Sequence, residues 1–220
     1  MQITVSPDPA ADAARWLARR LRVAVRHRGR ATVALSGGST APSLIAALLD
    51  PSAVGALAWD AIGVWQVDER VAPDGDPARN AGQLAGLPCR VYPMPVTAVD
   101  VRAAARRYAA RLPDRFDVVH LGLGADGHTA SWPPGRPDVI TSDRAVELVD
   151  EFNGFPRMTL TGRVVNGARE RFVLAGGADK RPMVERWLLG DRSLPVTAVR
   201  RTNTTAFLDH NAAPPSPVVE

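Results

Sequence analysis

The chain has 220 residues, which is enough for one substantial domain, whereas two domains of half that length would each have a small core. Hydrophobic residues make up 45% and charged residues 23%, and no apolar run approaches the ~20 residues of a membrane-spanning helix. The net charge is +4, but the arginines are spread along the chain and only 5% of residues are aromatic, which argues against a nucleic-acid-binding surface.

The amino terminus and the cysteine content bear on the compartment. Met1–Val5 lacks the basic and apolar regions of a secretory signal peptide. Cys89 is the only cysteine, which is typical of proteins kept in a reducing compartment. We therefore expect a cytoplasmic protein, a monomer or a small homo-oligomer, with a single domain over residues 1–210 and a flexible tail over residues 211–220.

The first half of the chain alternates helical patterns with short β-branched runs. Asp8 and Pro9 mark the start of a helix whose apolar residues recur at helical spacing. A buried strand is predicted over Ala31–Leu35, and the glycine-rich segment Ser36–Thr40 joins it to a second helix. Ile62–Val67 is a second predicted strand, ending in the sequence Asp-Glu-Arg.

The second half of the chain continues the alternation. Residues 71–90 are rich in Pro, Gly and Asp and predict a long loop or a broken helix, and an apolar stripe over Asp100–Leu112 predicts a helix. Further strands are predicted over Asp117–Leu123, Arg171–Ala175 and Thr204–Leu208. This alternation is typical of an α/β fold with a largely parallel sheet.

Polar or glycine-rich segments follow four of the predicted strands. Because ligands bind outside the carboxyl ends of strands in open parallel sheets, we expect these segments to meet at one cleft. They are Ser36–Thr40, Asp68–Arg70, Gly124–His128 and Gly176–Lys180.

The two glycine pairs suggest an anion site. In Ser36–Thr40 the glycines let backbone N–H groups approach a phosphate at a helix start, although a simple turn with a helix cap explains the segment equally well. Lys180 is the only lysine and follows the second pair, Gly176 and Gly177. A cation at a helix start is unfavourable unless an anion joins it, so Lys180 is a candidate phosphate ligand, with compositional chance as the alternative.

His128 is the candidate acid–base group, because histidine ionises near neutral pH and this one follows a buried strand. The alternative is a histidine that caps the turn through Thr129 or Ser131. His120 is a rival, but its position inside a strand favours a packed ring. No His-x-x-x-His motif or Cys/His cluster indicates a metal site, and no Gly-x-Ser-x-Gly motif indicates a serine hydrolase.

Taken in order, these segments resemble the 6-phosphogluconolactonase family of the glucosamine-6-phosphate isomerase/deaminase-like superfamily, across nearly the whole chain. The matching motifs are Leu35–Thr40, Val67–Arg70 with Asp76 and Asn80, Leu121–Ser131, Pro156–Thr161, Asn166 with Ala168, and Gly177–Lys180. The resemblance implies a Rossmann-like three-layer α/β/α sandwich with a mainly parallel sheet, no cofactor, and hydrolysis of 6-phospho-D-glucono-1,5-lactone to 6-phosphogluconate in the oxidative pentose phosphate pathway.

The same resemblance implies roles for single residues. His128 is the general base that activates water, and Asp126 shapes the loop or orients the histidine, a task that Asp68 or Glu69 could also perform. The implied contacts to the phosphorylated lactone are Gly37, Gly38, Ser39, Thr40, Asp68, Arg70, Arg157 and Lys180.

The sequence departs from the family pattern at two places, and two functions other than the lactonase are possible. The family usually has a small residue where this chain has Arg79, and Leu-Phe where it has Trp132 and Pro133. A glucosamine-6-phosphate deaminase carries a carboxylate soon after the histidine, and Thr129–Pro134 contains none. The second alternative is a non-catalytic sugar-phosphate-binding protein.

Overall fold

The structure is a computed structural model that describes residues 1–215. The strands are β1 (Gln2–Val5), β2 (Ala31–Leu35), β3 (Ile62–Gln66), β4 (Asp68–Arg70), β5 (Arg90–Tyr92), β6 (Val118–Gly122), β7 (Val146–Phe152), β8 (Phe155–Leu160), β9 (Glu170–Ala175) and β10 (Thr204–Leu208). The α-helices are α1 (Pro9–Arg28), α2 (Ala41–Leu49), α3 (Pro51–Val54), α4 (Ala81–Leu84), α5 (Val101–Ala109), α6 (Pro137–Thr141), α7 (Gly162–Gly167) and α8 (Arg181–Leu188). None of the helices described is both long and apolar enough to cross a membrane.

Seven parallel strands form the central sheet, in the order β1-β10-β9-β6-β2-β3-β5. Successive residues of a strand face opposite sides of the sheet, and in β2 Val33 and Leu35 pack into one apolar cluster with α1 and α2, whereas Ala34 packs into the other. Helices therefore cover both faces, which confirms the predicted three-layer α/β/α sandwich with a parallel sheet.

A second, antiparallel sheet of order β4-β8-β7 was not predicted from the sequence. Its strand β4 was expected only as the end of the preceding strand, and its β7–β8 hairpin turns at Asn153 and Gly154, which have φ angles of +52° and +80°. Asn-Gly is the residue pair that such tight hairpin turns favour. Residues 71–90, expected as a loop or broken helix, contain the short helix α4 and the first residue of β5.

The strand order reverses between β2 and β6, and this reversal creates a crevice. The two strands pair only at Val33 with Val118 and at Ala34 with Val119, so their carboxyl ends are no longer joined by a ladder. Ser36, just beyond β2, bridges the gap by donating from its hydroxyl to the His120 carbonyl at 3.2 Å. Ligands of open α/β sheets bind at such a reversal point.

The start of the segment expected to be flexible is packed on the body of the protein. Ala212 and Ala213 are buried, and Ala213 N–H donates to the Asp209 carbonyl at 3.0 Å. The prediction of a flexible tail over residues 216–220 lies outside the described residues.

Candidate active site

A cleft of about 170 Å³ lies over the crevice at the carboxyl ends of β2, β6 and β9. The four segments expected to converge do meet there, and of the predicted site residues only Asp126 is absent from the lining. The lining residues are Ser36, Gly37, Gly38, Ser39, Thr40, Asp68, Arg70, Asn80, Gly122, Leu123, Gly124, His128, Thr129, Ala130, Arg157, Leu174, Ala175, Gly176 and Lys180. Within residues 1–215 no group of three or more His, Cys, Asp or Glu side chains is arranged to hold a metal ion.

The histidine loop, residues 124–131, follows β6 and is closed by its own backbone. Gly124 N–H donates to the His128 carbonyl at 2.8 Å, and Gly127 N–H donates to the Gly124 carbonyl at 3.0 Å. A Cβ atom at Gly124 would collide with the imidazole of His128, and Gly127 has a φ angle of +84°. Glycine is therefore required at both positions for the imidazole to sit where it does.

Asp126 is the carboxylate that contacts the His128 ring. Its Oδ1 meets Nδ1 of the imidazole and also accepts the His128 N–H at 3.1 Å. Burial acts to raise the pKa of Asp126, but the hydrogen bonds from His128 outweigh it, and the pKa ends below its usual range. An ionised Asp126 therefore accepts the Nδ1 proton, which leaves Nε2 unprotonated in the neutral ring.

Two further groups fix the surroundings of the imidazole. The Phe152 ring, at the end of β7, meets the His128 ring edge-to-face with centroids 4.9 Å apart. Ala130 follows the histidine with a φ angle of +49°, a strained conformation for a residue with a side chain. Sequence reasoning missed Phe152, although the Asn-Gly pair that follows it is a hairpin signal.

Asp68 lines the cleft, but its carboxylate is hydrogen-bonded to Ser131 and not to His128. Its Oδ2 accepts the Ser131 hydroxyl at 2.7 Å, and Ser131 N–H in turn donates to the Thr159 hydroxyl at 3.2 Å. Burial raises the pKa of Asp68, and the Ser131 hydrogen bond and the positive charge of Arg157 only partly offset this. Asp68 therefore ties the floor of the cleft to the histidine loop.

Arg70 and Arg157 are directly opposite one another in the antiparallel pair of β4 and β8. Like charges placed in this way repel, and neither guanidinium forms an ion pair with a carboxylate among residues 1–215. Arg157 is buried and donates from Nε to the Phe152 carbonyl at 2.9 Å. Two unpaired guanidinium groups beside one cleft are suited to a bound anion.

Glu69 is buried and does not face the cleft. Its carboxylate accepts the N–H groups of Asn80 and Ala81, both at 2.8 Å, and lies 3.1 Å from Nε of Arg79. Arg79, the first departure from the family pattern, therefore clamps the loop before α4. Trp132, of the second departure, does not line the cleft either: it is buried and donates from Nε1 to the Leu160 carbonyl at 2.8 Å.

The glycine loop, Ser36–Thr40, offers hydrogen-bond donors to the cleft. Gly38 has a φ angle of +103°, and Thr40 stands before α2 without capping it through its side chain. The hydrogen bonds of residues 1–215 include no acceptor for the N–H groups or hydroxyls of Ser39 and Thr40. Of the two alternatives for this segment, the geometry favours an anion site over a simple cap.

The second glycine pair contributes a side chain rather than backbone donors. Gly177 N–H donates to Oδ2 of Asp209 at 2.9 Å, and a carboxylate there would repel a phosphate. Lys180 ends the 3-10 turn Ala178–Lys180 before α8, lines the cleft, and holds its Nζ 2.9 Å from Asp179.

His120, the rival histidine, is a packed core side chain. It is fully buried in β6 and stacks on Phe172 with ring centroids 4.8 Å apart. Burial lowers the pKa of His120 to about 3, so the ring is neutral at physiological pH. This confirms the expectation drawn from its position inside a strand.

Comparison with known proteins gives the same family as the motifs. Residues 6–208 match the family model of glucosamine-6-phosphate isomerases/6-phosphogluconolactonase. A curated 6-phosphogluconolactonase of Streptomyces coelicolor is 36% identical over 217 residues, covering 84% of this chain and 82% of that protein.

Two solved structures share the fold. The 6-phosphogluconolactonase of Thermotoga maritima has a TM-score of 0.84 at 22% identity and covers 94% of this chain and 98% of its own. A monomeric glucosamine-6-phosphate deaminase has a TM-score of 0.83 at 20% identity and covers 96% of this chain and 98% of its own. The fold is thus common to both activities, and the chain belongs to the glucosamine-6-phosphate isomerase/6-phosphogluconolactonase family.

Proposed function

We propose that the protein hydrolyses 6-phospho-D-glucono-1,5-lactone to 6-phosphogluconate, with His128 as the general base. The observation that carries the proposal is the pairing of His128 with Asp126 at the rim of a cleft that also holds unpaired cations. The curated relative of Streptomyces coelicolor bears the lactonase name, which supports this activity over others of the family.

The chemistry begins with a proton transfer to His128. Asp126 keeps the proton of the neutral ring on Nδ1, so Nε2 is free to take a proton from the attacking water. The imidazolium that forms is stabilised by the neighbouring carboxylate. General-base help of this kind can suffice because a lactone is already an activated ester.

The negative charge that develops on the carbonyl oxygen needs donors nearby. Arg70 and Arg157 are unpaired and line the cleft, so they are the candidates for this role. The leaving ring oxygen remains tethered to the substrate, and the protonated His128 can return its proton there. No covalent intermediate is required.

The phosphate group gives orientation rather than chemistry. The free donors of Ser39 and Thr40 and the ammonium of Lys180 line the same cleft as His128. Holding the remote phosphate fixes the lactone ring against the base, so binding energy is converted into rate.

We place the protein in the cytoplasm, as a monomer or a small homo-oligomer, with no cofactor.

A glucosamine-6-phosphate deaminase is the competing function within the family. No acidic residue lies between Thr129 and Pro134, and among residues 1–215 the one carboxylate that lines the cleft, Asp68, is hydrogen-bonded to Ser131. This favours the lactonase.

The test is an assay of acid release from freshly prepared 6-phosphogluconolactone, corrected for spontaneous hydrolysis, beside an assay of ammonia release from glucosamine 6-phosphate. We expect acid release and no ammonia. Ammonia release without lactone hydrolysis would assign the deaminase activity instead, and tight binding of 6-phosphogluconate without either reaction would assign a binding protein.

A further inference from the structure

The side chain of Gln83, in α4, forms hydrogen bonds with the backbone of the glycine loop. Gly38 N–H donates to Oε1 of Gln83 at 3.1 Å, and Nε2 of Gln83 donates back to the Gly38 carbonyl at 3.4 Å. Gln83 is half-buried and does not line the cleft, so it does not reach a ligand there. Neither the motifs nor the proposed reaction uses this residue.

This paired contact fixes the two peptide groups on either side of Gly38. In a trans peptide the carbonyl of one residue and the N–H of the next point in opposite directions. Turning the Gly38 carbonyl towards Gln83 therefore turns the Ser39 N–H away from α4. Glycine at a φ angle of +103° has little conformational preference of its own, so its contacts hold this geometry. The Gly38 carbonyl also accepts the Ala41 N–H at 3.3 Å, and Gln83 adds the side-chain contact that reaches both the N–H and the carbonyl of Gly38.

The helix that carries Gln83 is itself anchored beside the cleft. Glu69 accepts the N–H groups of Asn80 and Ala81 at the start of α4, and Gln83 N–H donates to the Asn80 carbonyl at 3.1 Å. Nδ2 of Asn80 donates to the Asp68 carbonyl at 3.0 Å. One buried carboxylate thus links the β4 side of the cleft to the glycine loop.

We propose that Gln83 is a positioning residue that shapes the glycine loop for a phosphate monoester and thereby sets the preference for phosphorylated over unphosphorylated lactones. The inference rests on the proposed function. The proposal also predicts the direction of the effect: removing the Gln83 amide should weaken the binding of the phosphorylated ligand. If Gln83 instead competed with the phosphate for the Gly38 N–H, removing the amide would strengthen that binding.

The test is Gln83→Met, which keeps the length of the side chain and removes both hydrogen bonds. We expect KM for 6-phosphogluconolactone and Kd for 6-phosphogluconate to rise about five- to tenfold, the effect of losing roughly one hydrogen bond. The kcat for the phosphorylated substrate, and kcat/KM for unphosphorylated gluconolactone, should stay at the wild-type level.

Gly82→Ala is the matched control, because a methyl group there meets no neighbouring atom and touches no contact of the loop. It should leave all four constants unchanged. Unchanged or lower KM and Kd in Gln83→Met, or equal losses for both lactones, would overturn the inference. If the wild-type protein binds 6-phosphogluconate without hydrolysing the lactone, the proposed function is refuted, but Kd still tests the role of Gln83. If the wild-type protein does not bind 6-phosphogluconate, both the proposed function and the role of Gln83 are refuted.

Discussion

Strand β6 and the histidine loop that follows it carry the same side chain in opposite environments. His120 is enclosed in the strand, stacked on Phe172, and both of its ring nitrogens lack a partner among the described residues. His128 is partly exposed in the cleft, with 24% of its side chain accessible and Nδ1 in contact with Asp126. The ring that can exchange protons is the one with a carboxylate on one side and open space on the other.

The difference shows how burial and partners decide the role of a titratable group. Desolvation makes protonation of His120 unfavourable over the whole physiological range. His128 instead has the Asp126 carboxylate at Nδ1 and lines the open cleft.

Removing the imidazole from the loop should abolish most of the activity. We expect His128→Ala to lower kcat for 6-phosphogluconolactone by about 10²- to 10⁴-fold, the usual contribution of a general base. Binding of 6-phosphogluconate, measured by calorimetry, should stay near the wild-type level. His120→Leu is the control for the strand and should keep a near wild-type kcat; wild-type rates in His128→Ala would contradict the assignment.

Removing the partner of the loop histidine should have a smaller effect. We expect Asp126→Asn to lower the plateau of kcat by about 10²-fold, because the amide no longer fixes the proton on Nδ1. Steady-state assays of 6-phosphogluconolactone hydrolysis measure this, and an unchanged kcat would mean that Asp126 only shapes the loop.

Lys180 tests whether binding and chemistry are separable. We expect Lys180→Ala to raise KM for the phosphorylated lactone by about tenfold, the value of one charge-assisted hydrogen bond, with kcat little changed. Lys180→Arg keeps the charge but not the compact ammonium, and should show a smaller increase. An unchanged KM in Lys180→Ala would mean that Lys180 does not bind the phosphate and that its being the only lysine is a chance of composition.

His120 should influence stability rather than activity, and its effect depends on pH. The pKa of His120 is about 3 in the folded state and higher in the unfolded chain, so below about pH 6.5 the unfolded chain binds a proton that the folded state does not. The free energy of unfolding should therefore fall as the pH drops towards 3, by at most about 1.4 kcal/mol per pH unit from this group. Urea unfolding of wild type and His120→Leu at several pH values measures this, and equal slopes would contradict it.

Much of the architecture follows from local pattern. The strands of the parallel sheet around the cleft are apolar runs that end at polar or glycine-rich segments, and these runs together with their ends predict β2, β3, β6, β9 and β10. The two edge strands of the parallel sheet, β1 and β5, and the antiparallel sheet were missed. β1 has exposed Ile3 and Val5 and only one neighbouring strand, so its sequence carries no sign of burial.

The site was predicted unevenly for a physical reason. Residues that act through their own chemistry, such as His128 and Lys180, are conspicuous in the sequence. Gln83 and Phe152 act through contacts with segments distant along the chain, so no local pattern identifies their roles. The partner of His128 was likewise left open among three carboxylates until the geometry showed that Asp126 contacts the ring.

The most direct test of the contrast between the two histidines is nuclear magnetic resonance of the imidazole side chains during titration with 6-phosphogluconate, with signals assigned through His120→Leu and His128→Ala. We expect the His128 signals to shift until saturation while those of His120 stay constant, because His128 lines the cleft and His120 is enclosed in the core. Product binding that shifts His120 and leaves His128 unchanged would contradict it.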